Sequence, residues 1–120
     1  MIRVSNLTKR YGAQLAVDGI SFNVGKREIV GLLGPNGSGK TTTMRMLSGY
    51  LMPTSGEVVV ADRDMMVHSI EGRRLLGYMP ETVPLYLDMT VRSYLEFVAG
   101  LRGVEGQKTR SRIEQVASQC

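Results

Sequence analysis

Cysteine is nearly missing from these 120 residues. The one that occurs, Cys120, excludes an internal disulfide and any cysteine-based metal cluster, and is read as incidental. No apolar run approaches the length needed to cross a bilayer. The N-terminus also lacks the hydrophobic region of a signal peptide, so the expected compartment is the cytosol. Dense charge of one sign is missing too. The net charge is +4, from 15 basic and 11 acidic side chains. The basic residues are scattered in pairs (Lys9-Arg10, Lys26-Arg27, Arg73-Arg74), with a looser group at Lys108, Arg110 and Arg112. A nucleic-acid surface shows a denser stripe interleaved with aromatics, so no nucleic-acid partner is expected. The pattern fits a solvated surface with a bias towards phosphate. There is no internal repeat and no low-complexity tract. The 42% hydrophobic and 22% charged content are those of a soluble globular protein, and the length leaves room for one small domain.

What the sequence does have is Gly34-Pro35-Asn36-Gly37-Ser38-Gly39-Lys40-Thr41-Thr42. This fits G-x-x-x-x-G-K-[ST], the pattern of a loop that wraps the phosphates of a nucleotide. The glycines let successive backbone N–H groups turn inward with no Cβ in the way, forming a nest of donors for phosphate oxygens. Lys40 places a cation beside the β/γ-phosphates, and the Thr41 hydroxyl completes the shell of a phosphate-bound Mg²⁺. Thr42 adds a donor, and the positive end of the following helix points at the anion. The bare pattern arises by chance in roughly one chain of this length in several hundred, so its surroundings matter. Glu28-Ile29-Val30-Gly31-Leu32-Leu33 reads as a buried strand leading into the loop. Behind the loop, Met44, Leu47 and Leu51 recur at helical spacing, with Gly49 weakening the end. Strand, loop and helix stand in the order that phosphate binding requires.

Along the rest of the chain, Ile2 to Leu7 alternates apolar and polar residues, which predicts a half-buried strand, and Thr8 to Gly12 reads as a turn. Leu15 to Val24 predicts strand structure interrupted at Asp18-Gly19. Pro53-Thr54-Ser55-Gly56 is a breaker before the β-branched strand Glu57 to Val60. Ser69 is placed to cap a short helix over Ile70 to Leu76, closed by Gly77. Gly77-Tyr78-Met79-Pro80-Glu81 predicts a short strand ended by proline, with a carboxylate just beyond it. Thr90 caps a helix whose apolar face is Val91, Tyr94, Leu95, Val98 and Leu101, and Gly103 stops it. The polar segment Gln107 to Ser118, with Ile113, Val116 and Ala117, predicts a last helix whose partners lie elsewhere. The methionines fall mostly at core spacing and are read as packing residues.

Three separated features, in order, make the sequence resemble the ATP-binding subunits of ABC transporters. Thr8-Lys9-Arg10-Tyr11-Gly12 resembles that family's aromatic loop, which implies that Tyr11 stacks on adenine. Leu33 to Thr42 resembles its phosphate loop, which implies that Gly34, Asn36, Gly37, Ser38, Gly39, Lys40, Thr41 and Thr42 bind the nucleotide. Gly77 to Glu81 sits where the family has its glutamine loop, and Leu47 to Leu51 and Pro53 to Val58 also look familiar for the group. The resemblance runs to about Gly103 and is weakest in the tail. At the glutamine position stands Glu81, as in exporter-type ATPases with a Gly-Tyr-x-Pro-Glu run. Its carboxylate can still contact Mg²⁺ and a water, with a different charge from an amide.

The implied fold class is α/β. It is a P-loop NTPase core of the ABC type with an N-terminal antiparallel β-subdomain, truncated before the signature and Walker B segments. Residues 1–103 would form the N-terminal part of the ATP-binding domain, and residues 104–120 the incomplete start of its helical subdomain. The family's signature, its acidic strand with the general-base glutamate, and its switch histidine are expected further along than residue 120. His68, the single histidine, precedes the glutamine-loop position, so it is read as a solvated loop residue.

The implied function is ATP binding, as the nucleotide-binding component of an exporter that couples ATP hydrolysis to transport. The implied cofactors are ATP and Mg²⁺. Lys40 and Glu81 are the candidate catalytic residues, and Thr41 and Glu81 the candidate metal contacts, although neither is a base for the attacking water. The implied partners are a membrane-spanning permease subunit and a second copy in a head-to-tail dimer, with the protein peripheral on the inner face of the cell membrane. The alternatives are a soluble ABC-type ATPase acting on ribosomes or DNA, and an inactive truncated chain. In the family, strands from later in the chain flank the one feeding the phosphate loop in a parallel sheet. Without them, residues 29–33 are expected to expose apolar faces and unpaired edges, leaving residues 1–120 marginal, aggregation-prone or dependent on a partner.

Overall fold

A computed structural model describes residues 1–83, 85–104 and 106–119; Cys120 and its incidental reading lie outside them. The chain divides into two compact units, Met1–Tyr78 and Met79–Cys120, each described here by itself.

The first unit is built on a four-stranded antiparallel sheet. Its strands are β1 (Ile2–Tyr11), β2 (Gln14–Val24), β3 (Ser55–Val60) and the two-residue β4 (Arg63–Asp64), in the order β2-β1-β3-β4. Two helices accompany it, α1 (Lys40–Leu47) and α2 (Ser69–Arg74). β1 lies inside the sheet and pairs antiparallel with β2 on one side and β3 on the other. Val4 and Leu7 are both buried although three positions apart, which a regular strand forbids, since its side chains alternate faces. A bulge resolves this. Val4 to Leu7 on β1 faces only Phe22 to Ile20 on β2, and Ser5 to Thr8 faces only Glu57 to Ser55 on β3. Asn6 takes the left-handed conformation there (φ 47°), and its N–H donates to Ser21 Oγ at 2.8 Å. The extra residue resets the alternation, so Val4 and Leu7 join Val17, Val58, Val60, Met46 and Met65 in one core. Full burial of such a side chain is worth about 1.5–3 kcal/mol.

Several local expectations are corrected. Thr8 to Tyr11 is no turn but the end of β1, which pairs Tyr11 with Gln14 across Gly12-Ala13. Asp18-Gly19 does not interrupt β2; the strand absorbs it as a bulge between the pairs Leu7–Ile20 and Lys9–Val17. The Ala61-Asp62 turn, with φ 48° and 62°, has the twist that joins tight hairpin strands, and it folds β4 onto β3. In α1 the buried face is Thr43 and Met46, with Leu47 half-buried, while Met44 points outward. His68, not Ser69, stands at the N-cap of α2, and it makes no side-chain capping bond.

The largest correction concerns residues 28–33. They form no regular structure and pair with no strand among the described residues. Ile29 is fully exposed (100%) and Leu33 nearly so (91%). A strand needs neighbours for its N–H and C=O groups, and none of β1 to β4 pairs with this stretch. The exposure foreseen for this stretch is therefore observed, and the strand is not.

The second unit contains α3 (Val91–Leu101) and α4 (Gly106–Gln119). Thr90 caps α3 as its sequence predicts, accepting the Ser93 N–H at 3.2 Å. Beyond the helix, Gly103 takes φ 70°. Ile113 of α4 is buried, and Leu95, Val98 and Ala99 of α3 face it and Val116 across an apolar groove of about 190 Å³. The last helix thus finds its partner in α3. Tyr86 packs edge-on to Phe97, with ring centroids 5.7 Å apart. The expected apolar face of α3 is covered only in part: Val91 and Leu101 remain exposed. Residues 77–81 form no strand.

Candidate phosphate-binding site

The loop between the unpaired segment and α1 carries the motif residues, and α1 fixes its far end. Gly39 is the N-cap of α1, and the first helical bond runs from the Thr43 N–H to the Gly39 carbonyl at 2.8 Å. The N–H groups of Lys40, Thr41 and Thr42 therefore precede the helical ladder and open towards the loop. Gly39 lies against β2, where a Cβ would strike the Ala16 carbonyl oxygen and come within 3.0 Å of Val17 Cγ2. Its backbone is also left-handed, at φ 87°. Glycine is thus required twice over, by conformation and by space.

Lys40 is drawn back over the loop. Its Nζ donates to the carbonyls of Gly34 and Pro35, both at 2.7 Å. The ammonium is held at the loop itself instead of extending into solvent. The Ser38 N–H closes a turn onto the Pro35 carbonyl at 3.3 Å, and a Cβ on Gly34 would meet Ser38 Oγ. The Thr41 side chain is exposed and Thr42 half-buried. A turn with left-handed glycines at 37 and 39, a tethered ammonium, two threonine hydroxyls and a helix N-terminus make a donor set suited to an anionic oxygen cluster.

Gly37, Ser38, Lys40 and Thr43 also form one wall of a cleft of about 370 Å³. The opposite wall is β2, from Leu15 to Asp18, with Ile20. That wall escapes sequence reading: Leu15 to Val17 reads there only as strand, because nothing local says which face of β2 meets the loop. Tyr11 does not line this cleft. It stands at the tip of the β1–β2 hairpin, 46% exposed, with Lys9 Nζ 5.3 Å from its ring centroid. The structure thus places Gly34 to Gly39 in one loop, Lys40 to Thr42 in the first turn of α1, and Tyr11 on the strand paired with the cleft wall. Glu81 is exposed and belongs to the second unit. His68 is exposed, as its loop reading implies.

Residues 17–120 match the protein family described as ABC transporter. The probable multidrug ABC transporter ATP-binding protein YbhF of Escherichia coli is 40% identical over 117 residues, 98% of this chain and 20% of its own length. The uncharacterized ABC transporter ATP-binding protein YxlF of Bacillus subtilis is 39% identical over 97% of this chain and 38% of its own. The chain thus spans well under half the length of these curated relatives. Among solved structures, an ATP-binding subunit of an ABC transporter superposes with a TM-score of 0.79 at 30% identity, over 89% of this chain and 45% of that one. A dimeric bacterial ABC transporter cassette gives 0.80 at 25% identity, over 93% and 53%. Phosphate loop, antiparallel β-subdomain and these similarities agree, and the chain belongs to the ABC transporter family.

Proposed function

We propose that residues 34–42 bind the phosphates of Mg-ATP, and that the chain is part of the ATP-binding subunit of an export system. The observation that carries this is the loop: Lys40 Nζ bound to the Gly34 and Pro35 carbonyls, beside the N–H groups that precede α1. Charge-assisted hydrogen bonds of the kind it offers are worth about 1.5–3 kcal/mol each. Tyr11 offers an aromatic face for the base, and stacking of that kind is worth about 1–3 kcal/mol.

Among the described residues no three His, Cys, Asp or Glu side chains gather; a Mg²⁺ here would be bound together with the nucleotide's phosphates. Thr41 would offer it a hydroxyl, while Glu81, in the second unit, is carried as a candidate metal or water contact by its motif position alone. Bound ATP supplies the phosphoanhydride whose hydrolysis drives transport; the chain's own residues bind and orient it. Residues 1–103 are read as the N-terminal part of the ATP-binding domain and 104–120 as the start of its helical subdomain. Export as the direction is supported by Glu81 and by relatives such as the Nod factor export ATP-binding protein I of Ralstonia nicotianae, 39% identical over 94% of this chain. A xylose/arabinose import protein of Haloferax volcanii, 38% identical, stands on the other side. The partners would be a membrane-spanning permease and a second cassette in a head-to-tail dimer, on the inner face of the membrane. No helix among the described residues is long and apolar enough to cross it.

The test is a thermal melt of the chain with Mg-ATP. At one hundred times its dissociation constant the ligand stabilises a binder by about 2.7 kcal/mol, a shift of several degrees. Lys40→Ala should abolish that shift and, in the complete subunit, ATP-driven transport. An unaltered chain that shows no shift, or transport that survives Lys40→Ala, rejects the assignment.

A further inference from the structure

Lys9 is half-buried, two residues before Tyr11 on β1, and the motif reading gives it no task. Its ammonium donates to the Met52 carbonyl beyond α1 at 2.6 Å and stands 5.3 Å from the centroid of the Tyr11 ring. Across the sheet it faces Val17, a buried wall residue of the cleft. One side chain thus ties the hairpin tip to the chain leaving α1. A tyrosine at a hairpin tip is otherwise free to swing. A cation fixed on one side of its ring favours a single orientation and leaves the other side for a partner.

We propose that Lys9 is a positioning residue for base recognition: tethered at Met52, it holds the Tyr11 ring in the orientation that receives the base. This rests on the reading of Tyr11 as the stacking residue. Lys9 acts through Tyr11 and not on the phosphates, so its removal should cost affinity for a nucleotide and none for a bare phosphate chain.

The experiment compares calorimetric binding of Mg-ATP and of inorganic tripolyphosphate with Mg²⁺ to the unaltered 120-residue chain and to Lys9→Gln, Lys9→Arg, Tyr11→Ala and Lys9→Gln/Tyr11→Ala. Lys9→Gln keeps a donor near Met52 but removes the cation. It should weaken ATP by about 2- to 5-fold, the worth of an exposed cation–ring contact, and leave tripolyphosphate unchanged. Lys9→Arg should retain ATP binding, and Lys9→Gln should add no loss once Tyr11 is alanine. Equal weakening of both ligands, an undiminished effect in the Tyr11→Ala background, no effect on ATP, or a Lys9→Gln chain that does not fold each overturns the proposal. An unaltered chain that binds tripolyphosphate but prefers ATP no more than Tyr11→Ala does refutes the stacking role of Tyr11 and leaves the phosphate loop standing. One that binds neither ligand refutes the loop assignment as well.

Discussion

Gly37 and Gly39 sit two residues apart in one loop, both left-handed at φ 83° and 87°, yet they face different surroundings. Nothing lies within 4 Å of a Cβ built on Gly37, whereas one on Gly39 runs into the Ala16 carbonyl. Gly37→Ala therefore carries only the conformational cost, about 1–2 kcal/mol. Gly39→Ala adds overpacking against β2, about 1–3 kcal/mol more. Urea denaturation of the two variants should rank them in that order; equal costs would mean that the loop does not rest on β2. The motif pattern fixes a glycine at 39 and leaves position 37 open, but it records spacing and not what passes behind each residue.

At the level of elements, the two cap positions separate what is local in the sequence from what is not. Thr90 places its hydroxyl on the Ser93 N–H, and its helix begins where a capping residue before an apolar period says it should. Thr90→Ala should cost about 1 kcal/mol and speed hydrogen exchange in the first turn of α3. His68→Ala, at a cap with no side-chain bond, should stay within about 0.5 kcal/mol of the parent. An equal loss at both positions would deny the Thr90 bond its role. The Thr90 cap and the glycine-rich turn before α1 were legible because their chemistry lies within a few residues, whereas the cap of α2 falls on His68 and not on the expected Ser69. The end of β1, the bulge at Asn6 and the buried face of α1 were not. Each depends on a strand or helix distant in sequence: Tyr11 is strand because Gln14 pairs with it, and Met46 outranks Met44 because the sheet lies on its side. The unpaired state of residues 28–33 follows the same logic. Their apolar content reads as strand, but pairing is a property of neighbours.

On the scale of the whole molecule, Ile29, Val30 and Leu33 present apolar side chains and open backbone edges to water. The 120-residue chain should lose solubility and melt at temperatures that depend on its concentration. Ile29→Lys should relieve this without lowering the melting temperature, because the side chain it replaces touches little. A sharp, reversible melt of the unaltered chain, independent of concentration, would contradict the expectation. The same stretch adjoins Gly34, so the loop is moored on one bank by backbone, at Gly39 beside β2 and α1, and on the other by the Lys40 side chain alone. Whatever pairs with residues 29–33 would moor that other bank by backbone too. Strand pairing and anion capture then become linked equilibria: a ligand that stills the loop makes the strand easier to recruit, and a recruited strand makes the ligand easier to hold.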